Sequence, residues 1–331
     1  MTAFRELSVE NRIKTLQNEG AINEAEAAFL LKQFAESSDT TISADVANHM
    51  IEHQIGKYTL PVGVVRGLIV NGEVRDVLVA TEEPSVIAAA CNGARIAAAT
   101  DVGYGIIARS PQYVTTAQIA FEDADGSVAA RLSRIVGDKE KVAELLRIAN
   151  ESHPSMSKRG GGARKCRASA LHGFAKLEID VDTCDAMGAN TVNTMGEAVK
   201  AQLESWLGVQ ALVAILTNTS RVASTAEVHI PVEALASRRL EDSEREREGK
   251  RLARRIAALS ALAASDPARA ATHNKGILNG IAGAALASGN DTRALESAAH
   301  AWAARSGRYL PLSKWNTETL NGKTCLLYTS P

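Results

Sequence analysis

The stretch from Gly173 to Asp182, GFAKLEIDVD, alternates Ala175, Leu177, Ile179 and Val181 with charged residues. Successive side chains of a strand point to opposite faces, so a period of two demands a strand with one face in a core and the other in a polar setting. A chain that carries it must build a sheet and must also supply a layer to cover the apolar face. The neighbouring residues provide that layer. YVTTAQIAFED reads as a strand, DADG as a turn, DKEKVAELLRIAN as an amphipathic helix, TVNTMGEAVKAQLESWL as a second helix and VQALVAILTN as another buried strand. Residues 112–220 therefore read as a separate α+β unit, a small sheet with helices on one face.

On either side the texture is helical. From Ser8 to His53 the pattern is that of helices broken near Gly20 and at Ser37 to Thr41, with Ser43 as the N-cap of ADVANHMIEHQIG. GLIVNGEVRDVLVA reads as a hairpin, because Asn71-Gly72 between β-branched runs suits a type I′ turn. A helix of small residues follows from Pro84 to about Thr100. After Ser220 helical texture returns, and the Arg/Glu run of ALASRRLEDSEREREGKRLARRIAALSALAAS reads as a solvated helix face. RGGGARKCR, residues 159–167, reads either as a flexible connector or as a Gly-rich loop presenting N–H groups to phosphate, and it lacks the order of a P-loop. A chain of 331 residues has room for about two domains.

Composition removes several classes of function. A net charge of −1 gives no global field to recruit nucleic acid, and acidic residues interleave with the arginines of the charged helix. No apolar run reaches the roughly 18–20 residues that span a bilayer, and MTAFRELSVENRIK lacks the apolar core of a signal peptide, so a cytoplasmic protein with no membrane partner is expected. Cys91, Cys166, Cys184 and Cys325 are scattered without CxxC spacing, which predicts reduced thiols and no metal.

Three stretches carry chemistry. In TEEPSVIAAAC, Pro84 suits the first helical position, which makes Glu83 the expected N-cap; a carboxylate there serves as a cap, as an acid placed for chemistry, or as both. CDAMGANTVNTMGEAV ends a strand and opens a helix. Gly188 permits close approach, and Asn190, Thr191 and Asn193 stand beside the first amides, an arrangement that fits either an anion such as a pyrophosphate or an ordinary capped turn. DPARAATHNKGILNGIAGAALASGNDTRA holds Arg269, Lys275, Asn279 and Asp291 among small and apolar residues. A lysine in such a setting must snorkel, pair or do chemistry, and Asp291 at a helix start is a candidate partner. His273 is open to either a basic or a packing role.

EEPSVIAAA, DAMGANTVNTM, THNKGILNG and SGNDTRALESAAHAWAARSGRY together resemble the corresponding motifs of 3-hydroxy-3-methylglutaryl-CoA (HMG-CoA) reductase, in its soluble bacterial class II form, from about Phe4 to Trp315. The resemblance implies reduction of HMG-CoA by two hydrides from NADPH or NADH, through mevaldehyde, to mevalonate and CoA, or the reverse reaction. It implies an α+β fold: a helical large domain, residues 1–111 and 221–323, that binds HMG-CoA, with a small inserted ferredoxin-like domain, residues 112–220, that binds the dinucleotide in a non-Rossmann manner. Carried over by position, Glu83 is the catalytic acid, Lys275 stabilises the oxyanion, and Asp291 links the two. Arg269 takes the substrate's free carboxylate, Asn279 and Ser85 make polar substrate contacts, and Arg5 corresponds to a CoA-phosphate contact. Asp185, Met187, Gly188, Asn190 and Thr191 match the cofactor motif. His153 stands where NADH-specific members carry an aspartate, and with Lys158 and Arg159 nearby it points to NADPH or dual use. A homodimer or higher homo-oligomer is implied. The family continues past SGRYLPLSKW into a flap whose histidine protonates the departing CoA thiolate. Here KTCLLYTSP resembles no part of that flap, so the flap domain is expected to be absent and residues 324–331 read as a foreign tail. On that reading the polypeptide either reduces mevaldehyde better than HMG-CoA or binds CoA and dinucleotide without turnover.

Overall fold

The computed structural model describes residues 4–33, 42–100, 103–110, 114–219, 221–320 and 322–330 and divides the chain into two units, Met1–Pro61 and Val62–Pro331. In the first unit Ser8 caps α1 (Val9–Asn18), α2 spans Glu24–Gln33, and Ser43 caps α3 (Ala44–Met50) by accepting from the Val46 N–H at 3.1 Å. Each serine satisfies an amide that the first helical turn leaves open. α3 ends at Met50, short of the expected run, because Ile51 is extended and His53 takes a φ of +56°. The turn expected at Ser37 to Thr41 lies outside the described residues.

The second unit opens with β1 (Val62–Val70) and β2 (Glu73–Ala80), paired antiparallel. Asn71 and Gly72 between them sit at φ +52° and +84°, as a type I′ turn requires. α4 (Val86–Ala97) and the short β3 (Ile107–Arg109) follow.

The chain then runs β4 (Thr115–Glu122), α5 (Ser127–Gly137), α6 (Lys139–Ser152), α7 (Pro154–Lys158), β5 (Gly162–Leu171), β6 (Phe174–Asp182), α8 (Ala189–Leu207) and β7 (Val213–Leu216). The strands are ordered β5-β6-β4-β7 with every neighbour antiparallel. β4 and β5 thus run parallel with β6 between them, as do β6 and β7 around β4, and each crossover is helical. Ile119, Phe121, Leu177, Ile179 and Val181 are fully buried from solvent with Leu132, Leu145, Val192 and Leu203 of the covering helices. Burial of each such side chain contributes about 1.5–3 kcal/mol. On the other face Asp180 pairs with Arg167 and accepts from Thr116 Oγ1 at 2.9 Å, while Glu178 pairs with Lys176 at 2.9 Å and with Arg221.

Two expectations are corrected here. From Gly162 onward RGGGARKCR is strand, not connector or phosphate loop: Cys166 and Ala168 stand opposite the inward-facing Ile179 and Leu177, so the stretch alternates like its partner. Burial pushes the Cys166 thiol up to about 11, which leaves it a packing residue. The stretch after Ser220 is not helical throughout, since Thr225–Pro231 forms β8 with Val228 and Ile230 buried.

α9 (Asp242–Ser265) carries the Arg/Glu run as surface pairs such as Lys250–Glu246 at 2.5 Å. α10 (Pro267–Ala287), α11 (Thr292–Ala303), β9 (Lys314–Leu320) and β10 (Lys323–Ser330) complete the chain. The third sheet is ordered β3-β8-β10-β9, so residues expected to be a foreign tail lie between two strands, with Leu326 fully buried against Val228, Ile230, Val232 and Ala253.

Candidate active site

β2 ends at Ala80, and the next residues turn sharply before α4. The Glu83 N–H donates to Thr81 Oγ1 at 3.1 Å, a local Ser/Thr turn, and Ser85 adopts the left-handed conformation at φ +71°. Ser85, not Glu83, holds the N-cap position of α4, and no side chain caps that helix. The correction has a backbone cause: the left-handed turn at Ser85 keeps Pro84 out of the helix, so α4 begins at Val86 and Glu83 lies two residues before the cap. A left-handed non-glycine residue costs on the order of 1–3 kcal/mol, a strain that recurs at ligand sites. Released from capping, the Glu83 carboxylate meets Lys275, with Oε2 at 2.5 Å from Nζ.

Lys275 is presented by α10, which is anchored on its other sides. Asp266 caps the helix, Asn274 is fully buried, donating to the Leu310 carbonyl at 3.0 Å and accepting from the Leu312 N–H at 2.7 Å, and His273 Nε2 bonds Ser313 Oγ at 2.8 Å. Burial and the neighbouring Arg269 push the His273 pKa down, so His273 packs as a neutral ring. The Lys275 and Glu83 side chains remain 61% and 45% exposed. A pair so exposed contributes about 0–1 kcal/mol to the fold, so both groups are free to exchange partners.

Asn279 lies one turn along the same face as Lys275, whereas Arg269 is turned by about 120° around the axis. Ser85, Arg269 and Asn279 make no side-chain hydrogen bond or ion pair among the described residues, which leaves their polar ends available to a ligand. Asp291 is placed differently from the expectation. It caps α11, accepting from the Arg293 and Ala294 N–H groups at 3.0 and 3.1 Å, and pairs with the Arg293 side chain at 3.6 Å. The Ala294 amide and Arg293 hold its carboxyl below the usual range, and it bonds neither Glu83 nor Lys275. The Arg5 side chain lies outside the described residues.

The second set of residues gathers at the start of α8. Gly188 is its N-cap at φ +78°, and a Cβ there would lie 2.3 Å from Thr183 Cγ2, so only glycine fits. No side chain caps α8, which leaves its first-turn amides open to an anion. Thr191 Oγ1 bonds His153 Nε2 at 3.3 Å, and His153 Nδ1 bonds Ser155 Oγ at 3.1 Å. Cys184 Sγ donates to the Arg159 carbonyl at 3.6 Å, so the end of α7 abuts the turn that carries Asp185, Met187 and Gly188. Met187 and Asn190 are exposed; Asn193 instead accepts from the Leu216 N–H at 2.9 Å and secures β7. Thr81 was missed in the sequence, although its spacing of two residues from Glu83 is that of a Ser/Thr turn.

The geometry thus offers a carboxyl beside an ammonium, with unpaired polar groups nearby, and separately an open helix start of the kind that holds phosphate. Residues 8–327 match the family model described as hydroxymethylglutaryl-coenzyme A reductase. The chain is 34% identical over 325 residues to the "Probable 3-hydroxy-3-methylglutaryl-coenzyme A reductase" of Borreliella burgdorferi, covering 96% of this chain and 69% of that protein. It is 33% identical over 321 residues to the 3-hydroxy-3-methylglutaryl-coenzyme A reductase of Archaeoglobus fulgidus, covering 95% and 67% respectively. Among solved structures, the class II 3-hydroxy-3-methylglutaryl-CoA reductase from Streptococcus pneumoniae, bound to NADPH in open conformations, superposes with a TM-score of 0.88 at 35% identity, covering 99% of this chain and 84% of that one.

Proposed function

From the premise that the chain belongs to the hydroxymethylglutaryl-coenzyme A reductase family, we propose that its site reduces the thioester of (S)-HMG-CoA, through mevaldehyde, to (R)-mevalonate and CoA, or runs the reverse reaction. The observation that carries this reading is the Glu83–Lys275 contact at 2.5 Å. Each of the two hydrides would come from its own reduced nicotinamide dinucleotide, bound in turn. The chain's own task is to manage charge and protons at the substrate oxygen: the Lys275 ammonium stabilises the alkoxide as it develops, and Glu83 delivers the proton. Arg269 engages the free carboxylate of the substrate, a task suited to a bidentate guanidinium, and Ser85 and Asn279 orient the remainder. Asp291 joins the pair only by exchanging its bonds to Arg293 and Ala294. The test is NADPH oxidation by the purified chain with mevaldehyde and with HMG-CoA; absence of both activities would sink the assignment.

We read residues 1–111 and 221–323 as the substrate-binding domain and residues 112–220 as an inserted ferredoxin-like domain for the dinucleotide. The strand order β5-β6-β4-β7 with two helical crossovers supports the second part. Cofactor fit is supported by the open α8 start, by Gly188, and by Asp185, Met187, Asn190 and Thr191 around it. His153 is held between two hydroxyl groups where NADH-specific relatives place an aspartate, and Lys158 with Arg159 adds positive charge nearby, so NADPH or dual use is expected. A kcat/KM for NADH tenfold above that for NADPH overturns this. We also read the enzyme as a cytoplasmic homodimer or larger homo-oligomer.

A second reading concerns CoA release. Among the described residues no histidine bonds Glu83 or Lys275: His273 and His229 hold Ser313 and two glutamates, and His153 and His300 hold hydroxyl groups. Expelled CoA thiolate needs a proton of its own, whereas reduction of free mevaldehyde expels no thiolate and needs only the proton that Glu83 gives to the alkoxide. A polypeptide of these 331 residues should therefore turn over mevaldehyde faster than HMG-CoA, and equal rates on the two substrates contradict that.

A further inference from the structure

The two helices that bear on the Glu83–Lys275 pair are seated on the same rung of the β1–β2 hairpin. Gly63 and Val79 face each other across it. At Gly63 a Cβ would lie 2.2 Å from Cδ1 of Ile87, in the first turn of α4. At Gly283 of α10 a Cβ would lie 2.7 Å from Cγ1 of Val79 and 3.1 Å from the Ala80 carbonyl oxygen. Directly opposed residues of an antiparallel pair point to the same face, so α4 and α10 lie side by side on that face. Ala80 ends β2, and Thr81, Glu82 and Glu83 follow it directly. Lys275 precedes Gly283 by eight residues, about 12 Å along the helix. The approach of α10 to the end of β2 is therefore the distance that Lys275 has to bridge.

We propose that Gly283 is a positioning residue: lacking a Cβ, it lets α10 close onto Val79 and Ala80 and so sets the Glu83–Lys275 contact. A methyl group at 283 meets the Ala80 backbone carbonyl and the buried Val79, so α10 and the end of β2 have to separate by some tenths of an ångström. Gly280 lies one turn nearer Lys275, and a Cβ there meets nothing within 4 Å. Alanine at 280 stiffens α10 without displacing it.

The proposal rests on the catalytic reading of the pair only for its effect on rate, so the test has a geometric arm and a kinetic arm. Zero-length carbodiimide coupling, mapped by mass spectrometry, joins Glu83 to Lys275 in the native chain, with the Glu246–Lys250 coupling within α9 as internal reference. In Gly283→Ala the first coupling falls at least fivefold and the reference stays. kcat for mevaldehyde falls tenfold or more, since a displacement of about 1 Å costs on the order of 100-fold, and the Kd for NADPH is unchanged. Gly280→Ala matches the native chain in every readout. Val79→Ala/Gly283→Ala, which removes the opposing methyl groups, recovers coupling and kcat to within threefold. A folded Gly283→Ala with native coupling overturns the proposal, and so does a folded double variant with less than a third of it. If Gly283→Ala fails to fold, the double variant decides by that criterion. A native chain that couples Glu83 to Lys275, loses the coupling in Gly283→Ala and yet never oxidises NADPH upholds the positioning role and sinks the catalytic reading.

Discussion

Glu83 shows how one residue's duty depends on its neighbours. Left-handed Ser85 keeps it out of the cap of α4, Thr81 fixes its backbone, and Lys275 takes its carboxylate. Because the pair is exposed, its removal should cost activity far more than stability. Glu83→Gln is expected to lower kcat for mevaldehyde at least ~100-fold, with a melting temperature within a few degrees of the native chain. Steady-state kinetics with thermal denaturation checks both halves. The pairing was legible only in part: EEPS and HNKG suggested an acid and a lysine, but the cap was placed two residues early, because a left-handed serine leaves no sequence signal. Asp291 was expected to bridge the pair, yet the amides of its own helix offer nearer partners.

At the scale of elements, the small sheet divides its labour between faces. Its buried face was legible in the alternation of β6, whereas the ion network on the other face depends on which strand lies beside it. Burial alone would raise Glu178 and Asp180, but Lys176 and Arg221 on the first and Arg167 and Thr116 on the second reverse the effect and leave both carboxyls lowered. Carboxyls lowered on folding contribute stability above their ordinary pKa of about 4, and that stability is lost as pH falls through the lowered values. Arg167→Met should therefore destabilise the chain by about 2 kcal/mol at neutral pH, less than a fully buried pair because Arg167 is partly exposed, and should flatten the loss of stability on the acid side. Urea unfolding as a function of pH measures both. The turn before α8 is the companion case. Gly188→Ala meets Thr183 and a φ of +78°, so the Kd for NADPH should rise tenfold or more while the helix content by circular dichroism is kept. An unchanged Kd would remove the turn from the cofactor site.

At the scale of the whole molecule, Val74, Leu78, Leu262 and Ile281 are large apolar side chains left exposed, surface that an assembly of the family's kind would cover. Sedimentation should find a dimer or larger assembly at micromolar concentration, and Leu78→Glu should shift it toward monomer; a native chain that sediments as a monomer refutes this. No helix among the described residues is long and apolar enough to cross a membrane. By itself the sequence determined the hairpin turn at Asn71-Gly72, the Ser43 cap, the helix-covered sheet that holds β4 to β7 and the four motifs that mark the family, because each is written in local periodicity, turn chemistry or a contiguous string. Tertiary structure alone decided that β5 and β8 are strands, that residues 323–330 lie between β8 and β9, and that Glu83 reaches Lys275, 192 positions away. Those outcomes turn on which surfaces meet, and a close approach such as that of Gly283 to Val79 exists only once two distant segments are packed together.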